Sequence, residues 1–209
     1  MDDVAMGLTI ELVARVVVMA ACLSQLTAGM AVLIRERVEA RPAPVERAGG
    51  PLALVNYVGI AMFIFVGLAV AITNGGAFRS LIQPLADGLR IAGILVLWAA
   101  GLLAIWGVRT MGRQLVSPAE VRPDTKLVTT GAFGLVRHPL YDSVLMLWAG
   151  GTLALLNYVL GAGFVLLVPA FYLRARAEEA ILTRHFGDAY AAYAARVPML
   201  VPRLRRPLP

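Results

Sequence analysis

An all-α, polytopic membrane helix bundle is the fold class that this sequence predicts, and three observations predict it. Of the 209 residues, 59% are hydrophobic and only 15% charged, with a mean hydropathy of +0.76. A soluble domain of this size covers its surface with roughly 25% charged residues. The apolar residues also arrive in long runs, each close to the ~20 residues that a helix needs to cross the hydrocarbon. Finally, none of the runs alternates with period two, as the strands of a membrane β-barrel do. About five transmembrane helices are expected, the last two forming a C-terminal helical hairpin.

The chain begins with Asp2 and Asp3 rather than a basic region, which does not resemble a cleavable signal peptide. Arg15 stands one helical turn after Glu11, a spacing at which the two pair at the membrane boundary. The first apolar run is Val16 to Ile34, and it contains the only cysteine, Cys22. A single cysteine excludes a disulfide framework and a cysteine-rich metal site. The segment 41–51 is a loop by its Pro and Gly content. Leu52 to Thr73 forms the second span, and Leu89 to Val108 the third, with Arg90 at its border. Small residues, such as Ala28, Gly29 and Ala31 in the first span and Gly93, Ala100 and Gly101 in the third, permit close helix contact in lipid.

From Ser143 to Leu173 the chain runs 31 residues without a charge. Asn157-Tyr158, then Gly161 and Gly163, interrupt this stretch. Two helices of ~15 residues would each rise only ~22 Å, against ~30 Å of hydrocarbon. The distribution of basic residues nevertheless favours a hairpin over one tilted helix. Arg35, Arg37, Arg41 and Arg47 lie between the first and second spans; Arg109, Arg113, Arg122, Lys126 and Arg137 lie between the third and fourth. Arg174, Arg176, Arg184, Arg196, Arg203, Arg205 and Arg206 follow the last apolar residue, whereas the 74–88 loop holds only Arg79. Cytoplasmic loops gather Lys and Arg. A chain that turns back near Asn157 puts every basic cluster on one side, with the N-terminus outside and the C-terminus in the cytoplasm. The net charge of +6 is then topological and suits contact with anionic lipid headgroups. It is not a nucleic-acid patch.

The polar chemistry is concentrated between Arg109 and Pro202. The division expected is 1–108 for the N-terminal transmembrane helices and 109–209 for a functional core. Pro139 fits the first turn of a helix, with Gly131 and Gly134 turning the backbone just before it. Arg174 and Glu178 are four apart and share a helix face. By spacing alone they read as a surface ion pair on a juxtamembrane helix that begins at Arg174, and His138 alone is equally unspecific.

Taken together, Leu127-Val-Thr-Thr-Gly131, Arg137-His-Pro-Leu-Tyr141, Glu178-Glu179, Phe186-Gly-Asp-Ala-Tyr190 and Arg196-Val-Pro198 resemble the isoprenylcysteine carboxyl methyltransferase family, which belongs with the phospholipid methyltransferases of membranes. The resemblance covers about Arg109 to Pro202, with the motifs in order and at matching spacing. It implies a membrane bundle with a cytosolic cofactor pocket for S-adenosyl-L-methionine, closed by loop and C-terminal segments rather than by a Rossmann domain. It also implies that the 109–209 segment is a methyltransferase core. By the same resemblance, Lys126, Leu127, Val128, Gly131, Phe133, His138, Pro139, Tyr141 and Glu178 would line or bind the cofactor, with no metal. Phe133 stands where the family usually has Tyr, while Ala132 and Gly134 replace the common Pro and a bulkier residue. Arg174 would be the catalytic residue that holds the substrate carboxylate, and Arg137 would orient an anion.

The chemistry is consistent with few residues. A methyl group leaving a sulfonium in line needs alignment above all. A carboxylate acceptor is already ionised near neutral pH, so it needs a positive partner rather than a base, and a guanidinium fork provides one. A lipophilic or lipidated substrate would enter from the bilayer. Three other readings stay open: N-methylation of a phospholipid amine, with His138 as base; a membrane reductase acting on a sterol-like lipid with a nicotinamide cofactor; and a binding protein that keeps the pocket without the chemistry.

Overall fold

A computed structural model describes residues 2–38, 46–47, 55–73, 85–112, 120–121, 123 and 125–202. Most of the expected 41–51 loop, Arg79 and its surroundings, Arg113, Arg122 and the basic tail with Arg203, Arg205 and Arg206 lie outside the described residues. The described residues are helical almost throughout, in the order α1 (Asp2–Val38), α2 (Val55–Thr73), α3 (Ala86–Met111), α4 (Ala132–Leu135), α5 (Pro139–Leu155), α6 (Tyr158–Phe186) and α7 (Asp188–Arg196). Between α1 and α2 a two-residue strand β1 (Glu46–Arg47) pairs antiparallel with β2 (Glu120–Val121), which follows α3. Among the described residues three helical segments are long and apolar enough to cross a membrane: Met6–Thr27, Ala86–Met111 and Tyr158–Phe186. Tyr57–Thr73 is a shorter apolar helix.

Large apolar side chains such as Phe65, Leu102, Val165 and Leu166 project outward from these helices. In water such a surface would be an association site, but in lipid it is the solvated face. The interior is held by close backbone approach and a few polar contacts. α3 and α5 run antiparallel, with Gly93 against Ala154 and Gly150 at one end and Gly107 against Leu140 and Pro139 at the other. A Cβ on Gly93 would sit 2.3 Å from the Ala154 nitrogen, so the two helices meet at a spacing that only glycine allows. Trp148 of α5 lies edge-on to Phe63 of α2, and its indole N–H donates to the Gly59 carbonyl at 3.1 Å. Cys22 is buried, with its thiol directed at the Phe63 carbonyl.

The break near Asn157 is present and has a local cause. Leu156 ends α5 in the left-handed conformation, φ 48°, and its buried side chain helps hold it there. Asn157 then caps α6, its Oδ1 accepting from the Val159 and Leu160 amides at 2.9 and 3.2 Å. The arms are unequal, at 17 residues for α5 and 29 for α6. The separate helix expected to begin at Arg174 does not exist: α6 continues through that position to Phe186, because nothing in Arg174–Thr183 interrupts helical hydrogen bonding.

At the end of α3 nearest this hairpin turn, Arg90 bridges Asp87 at 3.0 Å and Glu11 of α1 at 3.5 Å, and Glu11 also pairs with Arg15. The Glu11–Arg15 pairing expected from spacing is thus part of a four-residue group that joins α1 to α3. Charges buried near a bilayer require such mutual pairing.

Candidate active site

The other end of the bundle, where α3 ends and α5 begins, carries the second polar group. His138 is the residue before α5, and Pro139 occupies the first helical position, where its missing N–H costs nothing. The imidazole of His138 stacks on the Tyr141 ring, with 5.2 Å between centroids and planes 7° apart. Tyr141 also touches Phe171 of α6. Its hydroxyl donates to Glu178 Oε2 at 2.6 Å and accepts from Arg174 Nε at 2.8 Å. Arg174 is only 1% exposed. It is therefore no surface ion pair: the guanidinium stem is enclosed between α5 and α6, with Tyr141 as the link between Arg174 and Glu178. A buried cation is costly unless hydrogen-bonded, and Tyr141 supplies a bond to its Nε.

Glu179 faces the opposite pair of residues. Its Oε1 accepts from Arg137 Nε at 2.7 Å and meets His138 Nε2 at 3.2 Å. Arg137 also donates through Nη1 to the Ala194 and Val197 carbonyls at the end of α7. Burial works against the charge on this guanidinium, but the Glu179 carboxylate more than offsets it and holds the Arg137 pKa above its ordinary value. With Nε committed to Glu179 and Nη1 to the carbonyls at the end of α7, Arg137 acts as a clamp between the site and the C-terminal segment. The backbone completes that clamp, since the Arg137 and His138 amides donate to the Pro198 and Met199 carbonyls at 2.9 and 3.1 Å.

The remaining residues singled out in the sequence border this cluster. Lys126 is exposed, and Leu127 and Val128 are half-buried, in the extended segment that leads to the turn. Gly131 takes φ +58° and backs onto Thr110 of α3. Phe133 is buried in α4, and its carbonyl accepts the Tyr193 hydroxyl of α7 at 2.7 Å. The structure thus joins His138, Tyr141, Arg174 and Glu178 into one network, while it ties Gly131 to α3 and Phe133 to α7. Sequence reasoning assigned no role to Glu179 or Tyr193. For Glu179 a signal existed in two adjacent couples, Arg137-His138 and Glu178-Glu179, whose members need distinct partners. Burial raises the Tyr193 phenol to about 12, so it stays a hydrogen-bond donor at any physiological pH.

The apolar helices are those of an integral membrane protein, and residues 89–189, just under half of the chain, match the phospholipid methyltransferase family. The chain is 33% identical over 114 residues to protein-S-isoprenylcysteine O-methyltransferase B of Arabidopsis thaliana, covering 53% of this chain and 57% of that protein. It is 32% identical over 158 residues to the protein-S-isoprenylcysteine O-methyltransferase of Schizosaccharomyces pombe, covering 66% of this chain and 65% of that protein. It thus spans somewhat less than two thirds of the length of either. A further relative is the nickel-cobalt-cadmium resistance protein NccN of Alcaligenes xylosoxydans xylosoxydans, 37% identical over 87 residues, or 40% of this chain and 39% of that protein. Among the described residues no group of three or more His, Cys, Asp or Glu side chains stands where it could hold a metal ion. These matches agree with the motifs: over about half to two thirds of its length the chain is similar to the isoprenylcysteine carboxyl methyltransferase family.

Proposed function

We propose that this protein is an integral membrane methyltransferase that uses S-adenosyl-L-methionine to O-methylate the carboxylate of an isoprenylcysteine-like or other lipid-borne acid. The observation that carries the reading is Arg174, a guanidinium buried between two apolar helices and oriented by Tyr141 rather than by solvent. When bound, the cofactor supplies a methyl group on a positively charged sulfur and an amino-acid end with both charges. A carboxylate, an imidazole and a phenol side by side suit a molecule of that kind. Lys126, Leu127, Val128, Gly131, Phe133, His138, Pro139, Tyr141 and Glu178 are the residues proposed to hold it.

In this reading Arg174 binds and aligns the acceptor carboxylate, which is ionised at neutral pH and needs no base. Tyr141 fixes the guanidinium so that little reorganisation remains when the acid arrives. The helices exclude water around Arg174, which strengthens its attraction for an anion. The outward apolar surface offers a lipid tail a medium in which to approach. The two relatives named as isoprenylcysteine O-methyltransferases support an acid acceptor over an amine.

The test is methyl transfer from labelled S-adenosylmethionine to a prenylcysteine-type acid and, separately, to an amine lipid. Arg174→Ala is expected to lose most transfer to the acid while cofactor affinity stays within about twofold. Arg174→Lys should recover only part, since a point charge cannot replace a planar fork. Full activity of Arg174→Ala on the acid would overturn the role, and transfer by the wild type to the amine alone would overturn the substrate class.

A further inference from the structure

Glu178 and Glu179 are neighbours in sequence, yet their carboxylates serve different partners. Glu178 takes the Tyr141 hydroxyl, and Glu179 takes Arg137 and His138. An ionised carboxylate only accepts hydrogen bonds, so the imidazole nitrogen that faces Glu179 must carry a proton. That nitrogen is Nε2, at 3.2 Å. The other, Nδ1, lies 3.9 Å from Glu178 Oε2, beyond hydrogen-bonding distance. His138 is 6% exposed and stacked on Tyr141, so its ring is held in orientation from both sides. We propose that Glu179, held by Arg137, is a positioning residue that fixes His138 with its proton on Nε2, so that Nδ1 turns into the site as a hydrogen-bond acceptor beside Glu178.

Two acceptors side by side, Nδ1 of His138 and Oε2 of Glu178, make a notch for a group that brings N–H or O–H donors. This part of the inference rests on the methyltransferase reading above: the group that fits is the ammonium of the cofactor's amino-acid end. The same arrangement explains why Arg137 and His138 are consecutive. Arg137 orients Glu179, and Glu179 in turn sets the tautomer of the adjacent ring. Orientation of a histidine by a hydrogen bond to its other nitrogen is a general device.

The chain has only two histidines, and His185 is exposed, so a His185→Gln background leaves one imidazole to observe. In nitrogen-15 histidine-labelled protein in detergent at pH 8, without cofactor, the His138 ring is expected to carry its proton on Nε2. Glu179→Leu should give a mixture of tautomers and weaken S-adenosylhomocysteine binding by about tenfold, the loss of roughly one oriented hydrogen bond. Both contacts to Glu179 fall on one oxygen, which an amide can supply, so Glu179→Gln should keep the wild-type tautomer and bind within about threefold of wild type. A wild-type proton on Nδ1 would overturn the proposal, and so would an unchanged tautomer in Glu179→Leu. If Glu179→Leu does not fold, Glu179→Ala makes the same comparison, and a wild-type proton on Nδ1 still overturns the proposal. Failure of the methyltransferase reading looks different: wild-type protein with the Nε2–H tautomer that binds no S-adenosylhomocysteine.

Discussion

At the scale of single residues the site is a set of buried polar atoms, and their partners decide what each can do. Tyr190 and Tyr193 make the point on one short helix. Both rings are buried and meet edge to face, with 5.9 Å between centroids. The Tyr193 hydroxyl donates to the Phe133 carbonyl, whereas the Tyr190 hydroxyl has no hydrogen-bond partner among the described residues. Tyr193→Phe should therefore cost about 1 kcal/mol or somewhat more, because it removes a bond and leaves a buried carbonyl. Tyr190→Phe removes only an unmatched hydroxyl and should be neutral or stabilising. Thermal unfolding of the two variants in detergent checks this, and equal losses would show that Tyr190 has a partner after all. The sequence places both tyrosines on one helix face three residues apart, but nothing in it distinguishes their hydroxyls. Arg174 is the same kind of case. Its spacing from Glu178 was legible, but its enclosure was not, since Tyr141 arrives from 33 residues away in the chain.

At the scale of elements, the hairpin break was legible and the continuity of α6 was not. Asn157 is a strong helix start because its side-chain oxygen satisfies two amides in the first turn of α6. The charges from Arg174 onward mark where the chain leaves the hydrocarbon, which is a statement about solvent and not about backbone, and an uninterrupted helical sequence simply continues. Gly161 and Gly163, read from sequence as part of the interruption, lie inside α6. Gly163 is there for packing: a Cβ at this position would fall 1.9 Å from Cζ3 of Trp148. Trp148 is fully buried and pinned by its bond to Gly59, so it has little room to yield. Gly163→Ala should thus separate α5 from α6 and cost at least ~1–3 kcal/mol, the usual range for overpacking. Because Tyr141 and Arg174 face one another across the same pair of helices, activity should fall with it. A Gly163→Ala variant with unchanged unfolding temperature and activity would show that the α5–α6 contact is not what fixes the site.

For the molecule as a whole, topology follows from two facts of different origin. The basic residues cluster in the segments between the first and second spans, between the third and fourth, and after Leu173. Independently, the β1–β2 pair joins the first two of those segments directly. The α6 extension that carries Glu178 and Glu179 meets the start of α5 at that same end, while Glu11, Asp87, Arg90 and the Asn157 turn lie at the other. If basic segments face the cytoplasm, Tyr158 faces outward and α7 is cytoplasmic. Both positions are suitable for labelling: Tyr158 and Ala189 are exposed. The single native cysteine is buried against Phe63, so a Cys22→Ser background removes it with little disturbance. In intact cells a membrane-impermeant thiol reagent should label Tyr158→Cys and leave Ala189→Cys untouched until the membrane is opened. Labelling at Ala189 from outside would overturn the orientation, and with it the proposed delivery of a soluble cofactor to this site from the cytoplasm.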